Sequence, residues 1–253
     1  MLYSTAMRDR TLEELWRDAP PSTRRFDPNE VTHLPPTAQR YFRHTLAPGA
    51  RCSASARLEM HGTIKLGDAW QAFTATQVLC WDRGFVWHAH THMKGLPISG
   101  SDVEIDGEGA MRWKLLGIIP VMHAEGPEIS RSAIGRLHAE AIWLPAALLG
   151  PEVTWSEGPR GPAFTVDAHG EQSHVELDTD ADGRLRAMKL ARWGNVDGGD
   201  FRYIDFGGSC TADREFDGVT IPTEYRIGWY FGSDRFEPEG EFFRCTIDGL
   251  VHR

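Results

Sequence analysis

From Ala54 to about Ala124 apolar and polar residues alternate with period two, and turn signals at Leu66-Gly67-Asp68, Asp82-Arg83-Gly84, Lys94-Gly95 and Asp106-Gly107 cut the stretch into hairpin-sized pieces. The alternation returns from Val153 onward, over Ala163–Ala168, His174–Thr179, Arg184–Trp193, Phe201–Phe216, Val219–Phe231 and Glu241–Ile247. Side chains of a strand point to opposite faces in turn, so this pattern predicts about ten to twelve strands with one face toward a core. The links between them are too short for the helical crossovers that parallel strands need. No Gly-x-Gly-x-x-Gly or phosphate-loop pattern occurs, so a nucleotide-binding parallel sheet is disfavoured.

Three segments break the alternation. Thr11 followed by Glu14 is a capping-box pattern that opens a short helix ending before Pro20-Pro21. Pro35 and Pro36 can open a second helix, with Ala38, Tyr41, Phe42 and Thr45 at helical spacing until Pro48-Gly49. Ser130–Leu149 is the long helical candidate, its stripe Ile134, Leu137, His138, Ala141 and Ile142 facing the sheet until Pro145 interrupts it. The expected fold is mainly β with flanking helices: a curved antiparallel sheet forming an incomplete barrel covered by a central helix. Residues 1–30 are expected to be an N-terminal helical arm or lid, and residues 31–253 a single β-rich domain of the ligand-binding type.

Composition fits that picture and narrows the partners. The 253 residues include nine Trp, twelve Phe and five Tyr, enough large rings for a substantial core. With 27 Lys+Arg against 36 Asp+Glu, the net charge of -9 opposes attraction to phosphate backbones and no run of basic residues offers a local exception, so neither nucleic acid nor an anionic membrane surface is expected as a partner. No uninterrupted apolar run is long enough to span a bilayer, and the first residues lack a signal-type hydrophobic region, so the expected location is cytoplasmic. Cys52, Cys80, Cys210 and Cys245 form no C-x-x-C pair and are expected to be reduced, packed thiols.

Candidate chemistry begins at Gly84–Met93, where period two puts Phe85, Trp87, Ala89, Thr91 and Met93 on one face and Val86, His88, His90 and His92 on the other. Were the imidazole face concave, His88 and His90 could hold a divalent metal with a ligand such as His61, Asp106 or Glu108 from another strand. The plain alternative is a solvated polar face. Arg136 and Glu140 stand four apart on one helical face with Trp143 nearby. Burial would tune Glu140 toward acid/base work, whereas Arg136 would hold it as an ion pair. Arg112 alternates with Trp113 and could reach a ligand carboxylate. No Gly-x-Ser-x-Gly or other nucleophile pattern is present.

Leu34-Pro-Pro-Thr-Ala-Gln-Arg-Tyr41, Trp70-Gln-Ala-Phe73, Gly84-Phe-Val-Trp87, Asp106-Gly-Glu-Gly109 and Glu140-Ala-Ile-Trp-Leu-Pro145 together resemble a bacterial family catalogued only as a domain of unknown function, over roughly residues 30–250. The resemblance implies a curved antiparallel sheet similar to periplasmic lipoprotein carriers and related lipid-binding half-barrels. It brings no activity with it. Trp70, Phe73, Phe85, Trp87, Asp106, Gly109, Glu140, Trp143 and Pro145 match its recurrent positions, whereas the histidine row departs from them. The expected function is binding of a hydrophobic small molecule or lipid in a cavity lined by Trp70, Phe73, Trp87, His88, His90, Arg112, Glu140 and Trp143. The alternative is an enzyme using Glu140 or a histidine-bound metal in the same cavity.

Overall fold

A computed structural model describes residues 11–253. Six strands come first: β1 (Ser55–Leu66), β2 (Ala69–Cys80), β3 (Gly84–Met93), β4 (Leu96–Ile105), β5 (Glu108–Leu115) and β6 (Ile119–Glu125). Seven follow: β7 (Val153–Glu157), β8 (Pro162–Ala168), β9 (Glu171–Thr179), β10 (Leu185–Gly194), β11 (Arg202–Phe216), β12 (Val219–Trp229) and β13 (Glu241–His252). They join in one antiparallel sheet in the order β6-β5-β4-β3-β2-β1-β13-β12-β11-β10-β9-β8-β7. Each half is a meander of neighbours in sequence. The halves are welded where β1 pairs with β13, so the first and last strands lie mid-sheet and the middle of the chain lies at its two edges.

Ladder irregularities at Glu59/Met60, Trp113/Lys114, Leu185/Ala187, Cys210/Ala212 and Ile227/Gly228 add local bend and twist, which curl so wide a sheet into a half-barrel. Inside the curve runs α3 (Pro127–Glu140), packed across β5, β9 and β10 and touching β3, β4 and β6. It starts three residues before the expected Ser130, because Gly126 takes φ 113 and Pro127 supplies a preset first helical position. It also stops earlier than Leu149. Pro145 has no N–H and bars the helical conformation at Leu144 (φ -125, ψ 56), so the chain continues as two 3-10 turns, Ala141–Trp143 and Ala147–Leu149.

α2 (Pro36–Thr45) packs on β7, β8 and β12, with Tyr41 and Phe42 against Trp155. Leu46 bridges Val219 and Ala47 N–H donates to Gly218, so α2 closes the end of the half-barrel where the β11–β12 turn lies. α1 (Leu12–Asp18) has the expected capping box, Glu14 N–H donating to Thr11 Oγ1 at 3.2 Å and Thr11 N–H to Glu14 at 2.8 Å. Its Leu15 packs with Ala19, Val78, Cys80, Val86 and Ile105 on the outer face. The described part of the N-terminal arm is therefore strapped to the back of the sheet rather than placed as a lid; the arm's first ten residues lie outside the described residues. All four cysteines are buried and free. No helix among the described residues is long and apolar enough to cross a membrane.

Candidate ligand-binding cavity

Between α3 and the concave face lies a cavity of about 470 Å³. Strand parity decides who reaches it. On β3, Phe85 and Trp87 point inward and are buried, while His88, His90 and His92 are exposed on the outer face. Registry carries that division across the sheet: Trp87 stands opposite Asp102, which stands opposite Met111, so all three line the cavity. Trp113 follows on the same face. Gly100 stands opposite Trp113, and a Cβ there would strike the indole, so the missing side chain is the seat of that ring. Gly194 serves the ring of Trp229 in the same way.

The wall is mostly apolar: Met60 and Ile64 from β1, Met188 from β10, Phe206 from β11, Tyr225, Ile227 and Trp229 from β12, and Phe242 and Phe243 from β13. Phe243 stacks on Phe73 at 4.8 Å between centroids and meets Trp87 edge-on at 6.1 Å. Trp143 and Tyr225 meet edge-on, the Trp143 indole N–H donating to the Tyr225 hydroxyl, which itself donates to Pro222 O at 2.5 Å. The buried Trp87 indole N–H has no hydrogen-bond partner among the described residues.

Polar groups gather at one place. Arg136 of α3 donates from Nε to Glu140 Oε1 at 2.6 Å and from Nη1 to Asp102 Oδ2 at 3.1 Å, with its guanidinium 4.5 Å from the Phe85 ring centroid and 5.3 Å from that of Trp87. Gln77 Nε2 donates to the second oxygen of Glu140 at 2.5 Å, and Trp113 Nε1 donates to Asp102 Oδ1 at 3.1 Å. Burial pushes the Asp102 carboxyl above the usual carboxylate range, against the pull of Arg136. Arg192 is placed differently. It donates from Nε to Ser132 O at 3.0 Å, lies over Phe206 and Trp229 at 4.6 and 5.1 Å, and makes no ion pair with a carboxylate among the described residues. Burial, and then the neighbouring Arg136 charge, bring its pKa down to about 9.

Of the eight expected site residues, Trp87, Glu140 and Trp143 line the cavity, and Phe73 stands directly behind Phe243 and Trp87. The other four lie on the outer face. Trp70 sits under the Arg244 guanidinium at 4.4 Å, Arg112 faces Glu125 at 3.6 Å, and the rings of His88 and His90 are 5.0 Å apart in the exposed row. The imidazole row thus faces away from Glu140, and among the described residues no three His, Cys, Asp or Glu side chains gather as a metal site would need. The reason is parity: an aromatic face and a histidine face on one strand cannot share a cavity. Asp102, Gln77 and Arg192 carry no motif. Their signal is a polar residue at an inward position, visible once Asp102 is registered against Trp87 and Arg192 is counted two and four residues after Leu190 and Met188.

The fold and its cavity define an open antiparallel half-barrel with an apolar, arginine-bearing pocket under a central helix. The chain belongs to a family of unknown function, DUF6920, whose sequence profile matches residues 32–251. No curated protein matches it. Among solved structures it is similar to a domain from Vibrio parahaemolyticus named for outer membrane lipoprotein sorting, at 8% identity and TM-score 0.41, over 79% of this chain and 86% of that one. It is also similar to a LolA superfamily protein from Nitrosomonas europaea, at 9% identity and TM-score 0.38, over 86% and 92% of the two chains. A DUF1329 family protein from Desulfovibrio piger aligns at 10% identity and TM-score 0.34, over 79% and 86%.

Proposed function

We propose that the cavity holds a single hydrophobic small molecule, such as a lipid acyl chain, with a polar end beside Arg192 and Trp87. The observation that carries this reading is an aromatic- and methionine-lined volume of about 470 Å³ beneath α3, within the size range of ordinary small-molecule sites, roughly 300–1,000 Å³. Apolar walls supply affinity through burial, while a few fixed donors set orientation. Arg136 is saturated by Asp102 and Glu140, which leaves Arg192 as the cation, and the Trp87 N–H as the donor, with capacity to receive an acceptor from a guest. Glu140 has both oxygens engaged by Arg136 and Gln77, so its geometry favours a strut over a proton shuttle.

Native mass spectrometry of gently purified protein tests the reading, followed by removal of any guest and fluorescence titration with palmitic acid and hexadecanol. Saturable binding of both is expected, tighter for the acid. Ile64→Trp, at a half-buried lining position, fills the space and is expected to abolish uptake while leaving the thermal transition in place. A protein that is always empty and binds neither compound refutes the proposal.

A further inference from the structure

The turns β1–β2, β3–β4 and β5–β6 fall at the same end of three successive hairpins, as an antiparallel meander requires. They read Lys65-Leu66-Gly67-Asp68, Met93-Lys94-Gly95-Leu96 and Lys114-Leu115-Leu116-Gly117-Ile118-Ile119. Each joins a lysine to large apolar residues and a glycine. Lys94-Gly95 and Leu116-Gly117 have paired positive φ values, 52 and 79, then 54 and 74, the geometry of tight turns that hold their side chains out at the tip.

Two distributions single out this end. Among the described residues the large apolar side chains left exposed number eight, and six of them are here: Leu96, Leu116, Ile118, Ile119, Val121 and Met122, with Ile118 at 75% exposure. The chain has four lysines and three are in these turns; the fourth, Lys189, is paired with Asp205 at 2.8 Å, whereas Lys65, Lys94 and Lys114 make no ion pair among the described residues. Asp68 is the one acidic residue in the three turns. Contiguous exposed apolar surface in a soluble fold marks a contact site, and apolar residues interleaved with lysines match an interface that is hydrocarbon inside and anionic outside. The patch is also continuous with the cavity, because Leu66, Met93, Val121 and Met122 line it.

We propose that these three hairpin tips dock the mouth of the cavity onto an anionic phospholipid surface. The net charge of -9 repels such a surface from the molecule as a whole, so contact is confined to this end and the mouth is turned toward the bilayer. Docking stands on the tips alone; its use for taking up or delivering a guest rests on the cavity reading above.

The test is vesicle flotation of the full chain with phosphatidylcholine vesicles, with and without phosphatidylglycerol, at low and high salt. Binding is expected to the phosphatidylglycerol vesicles and to weaken with salt. Replacing Lys65, Lys94 and Lys114 together by glutamine is expected to weaken it on the order of a hundredfold, since each lysine near an anionic surface contributes about fivefold. Ile118→Ser with Ile119→Ser is expected to weaken it at least about tenfold. These residues are exposed or half-exposed, so unchanged thermal transitions will show that the variants are folded. Absence of binding to either vesicle, variants that bind like the parent, or a self-association driven by Ile118 without vesicle binding would each overturn docking. A chain that floats with vesicles yet never carries a guest sinks the cavity reading instead; one that carries a guest but ignores vesicles sinks docking alone.

Discussion

Arg136→Met removes the cation that two cavity carboxylates share, while the methionine keeps much of the arginine stem's packing. All three partners are mostly buried, with side-chain exposures of 18% for Arg136, 16% for Asp102 and 13% for Glu140. Breaking a buried ion pair by deleting one partner costs about 3–5 kcal/mol, because a charge is stranded away from water. The lost stacking on Phe85 and Trp87 adds about 0.5–2 kcal/mol. For a chain of this size each kcal/mol moves Tm by roughly 2–4 °C, so a drop of roughly 7–28 °C is expected at neutral pH. The pH dependence is sharper. Burial already raises the Asp102 carboxyl above its unfolded value, and without Arg136 the largest opposing pull is lost, leaving only the Trp113 hydrogen bond and the Arg192 charge against it. A carboxyl with a raised folded pKa is penalised above that pKa and relieved as pH falls toward the unfolded value, about 4, so the cost of Arg136→Met must shrink on acidification. Urea unfolding at neutral and mildly acidic pH measures it. Adding Glu140→Gln to the variant is expected to recover part of the loss. A cost below about 1 kcal/mol, or one that does not change with pH, would refute the view that this arginine neutralises the cavity's carboxylates.

Glu104 is fully buried and its carboxyl is pushed up to about 7, chiefly by burial and against the Gly107 N–H that pulls it down. Its charge therefore costs stability above pH 7, a cost relieved as pH falls to the unfolded value; Glu104→Gln is expected to be more stable at pH 8 by up to about 3 kcal/mol, with no advantage below about pH 4.5, by urea titration. His138 is the opposite case. Its pKa is lowered to about 4 by burial and then by His169, so the folded state resists protonation and loses stability between the ordinary histidine value and pH 4; NMR should find the ring neutral at pH 5. Gly100→Ala drives a Cβ into Trp113 and is expected to cost about 1–3 kcal/mol and to reduce guest uptake, read by unfolding and by the same fluorescence titration. The four cysteines should resist a thiol reagent in the native protein and all react in denaturant, since burial holds Cys210 up to about 12 and raises Cys52, Cys80 and Cys245 as well.

Period-two alternation carried most of the architecture, because a half-buried strand writes its inward face directly into the chain. Thr11 and Glu14 marked α1, the double proline marked α2, and Phe85 and Trp87 announced the inner face of β3. What alternation leaves open is the sense of curvature. The same β3 pattern allows a concave histidine face or a concave aromatic face, and only its neighbours decide, since α3 covers Trp87 and α1 covers Val86. Arg112 and Trp70 fell on the outer face for the same reason: each is one residue out of phase with an inward tryptophan or phenylalanine. Glu140 was legible because its partner, Arg136, is four residues away on the same helix. Asp102 and Gln77 complete that cluster from strands far apart in sequence, a separation that local spacing does not encode.

The weld between β1 and β13 has a mechanical consequence. Among the described residues all ladder hydrogen bonds lie within the continuous ribbon, whose two lips, β6 and β7, are joined covalently only through the segment that contains α3. Parting those lips would leave the strand ladders intact and would break the packing under α3 together with the hydrogen bonds of Trp81 to Glu152 and of His169 to Trp81 O that bridge the two halves, so what keeps the seam shut is side-chain contact rather than sheet.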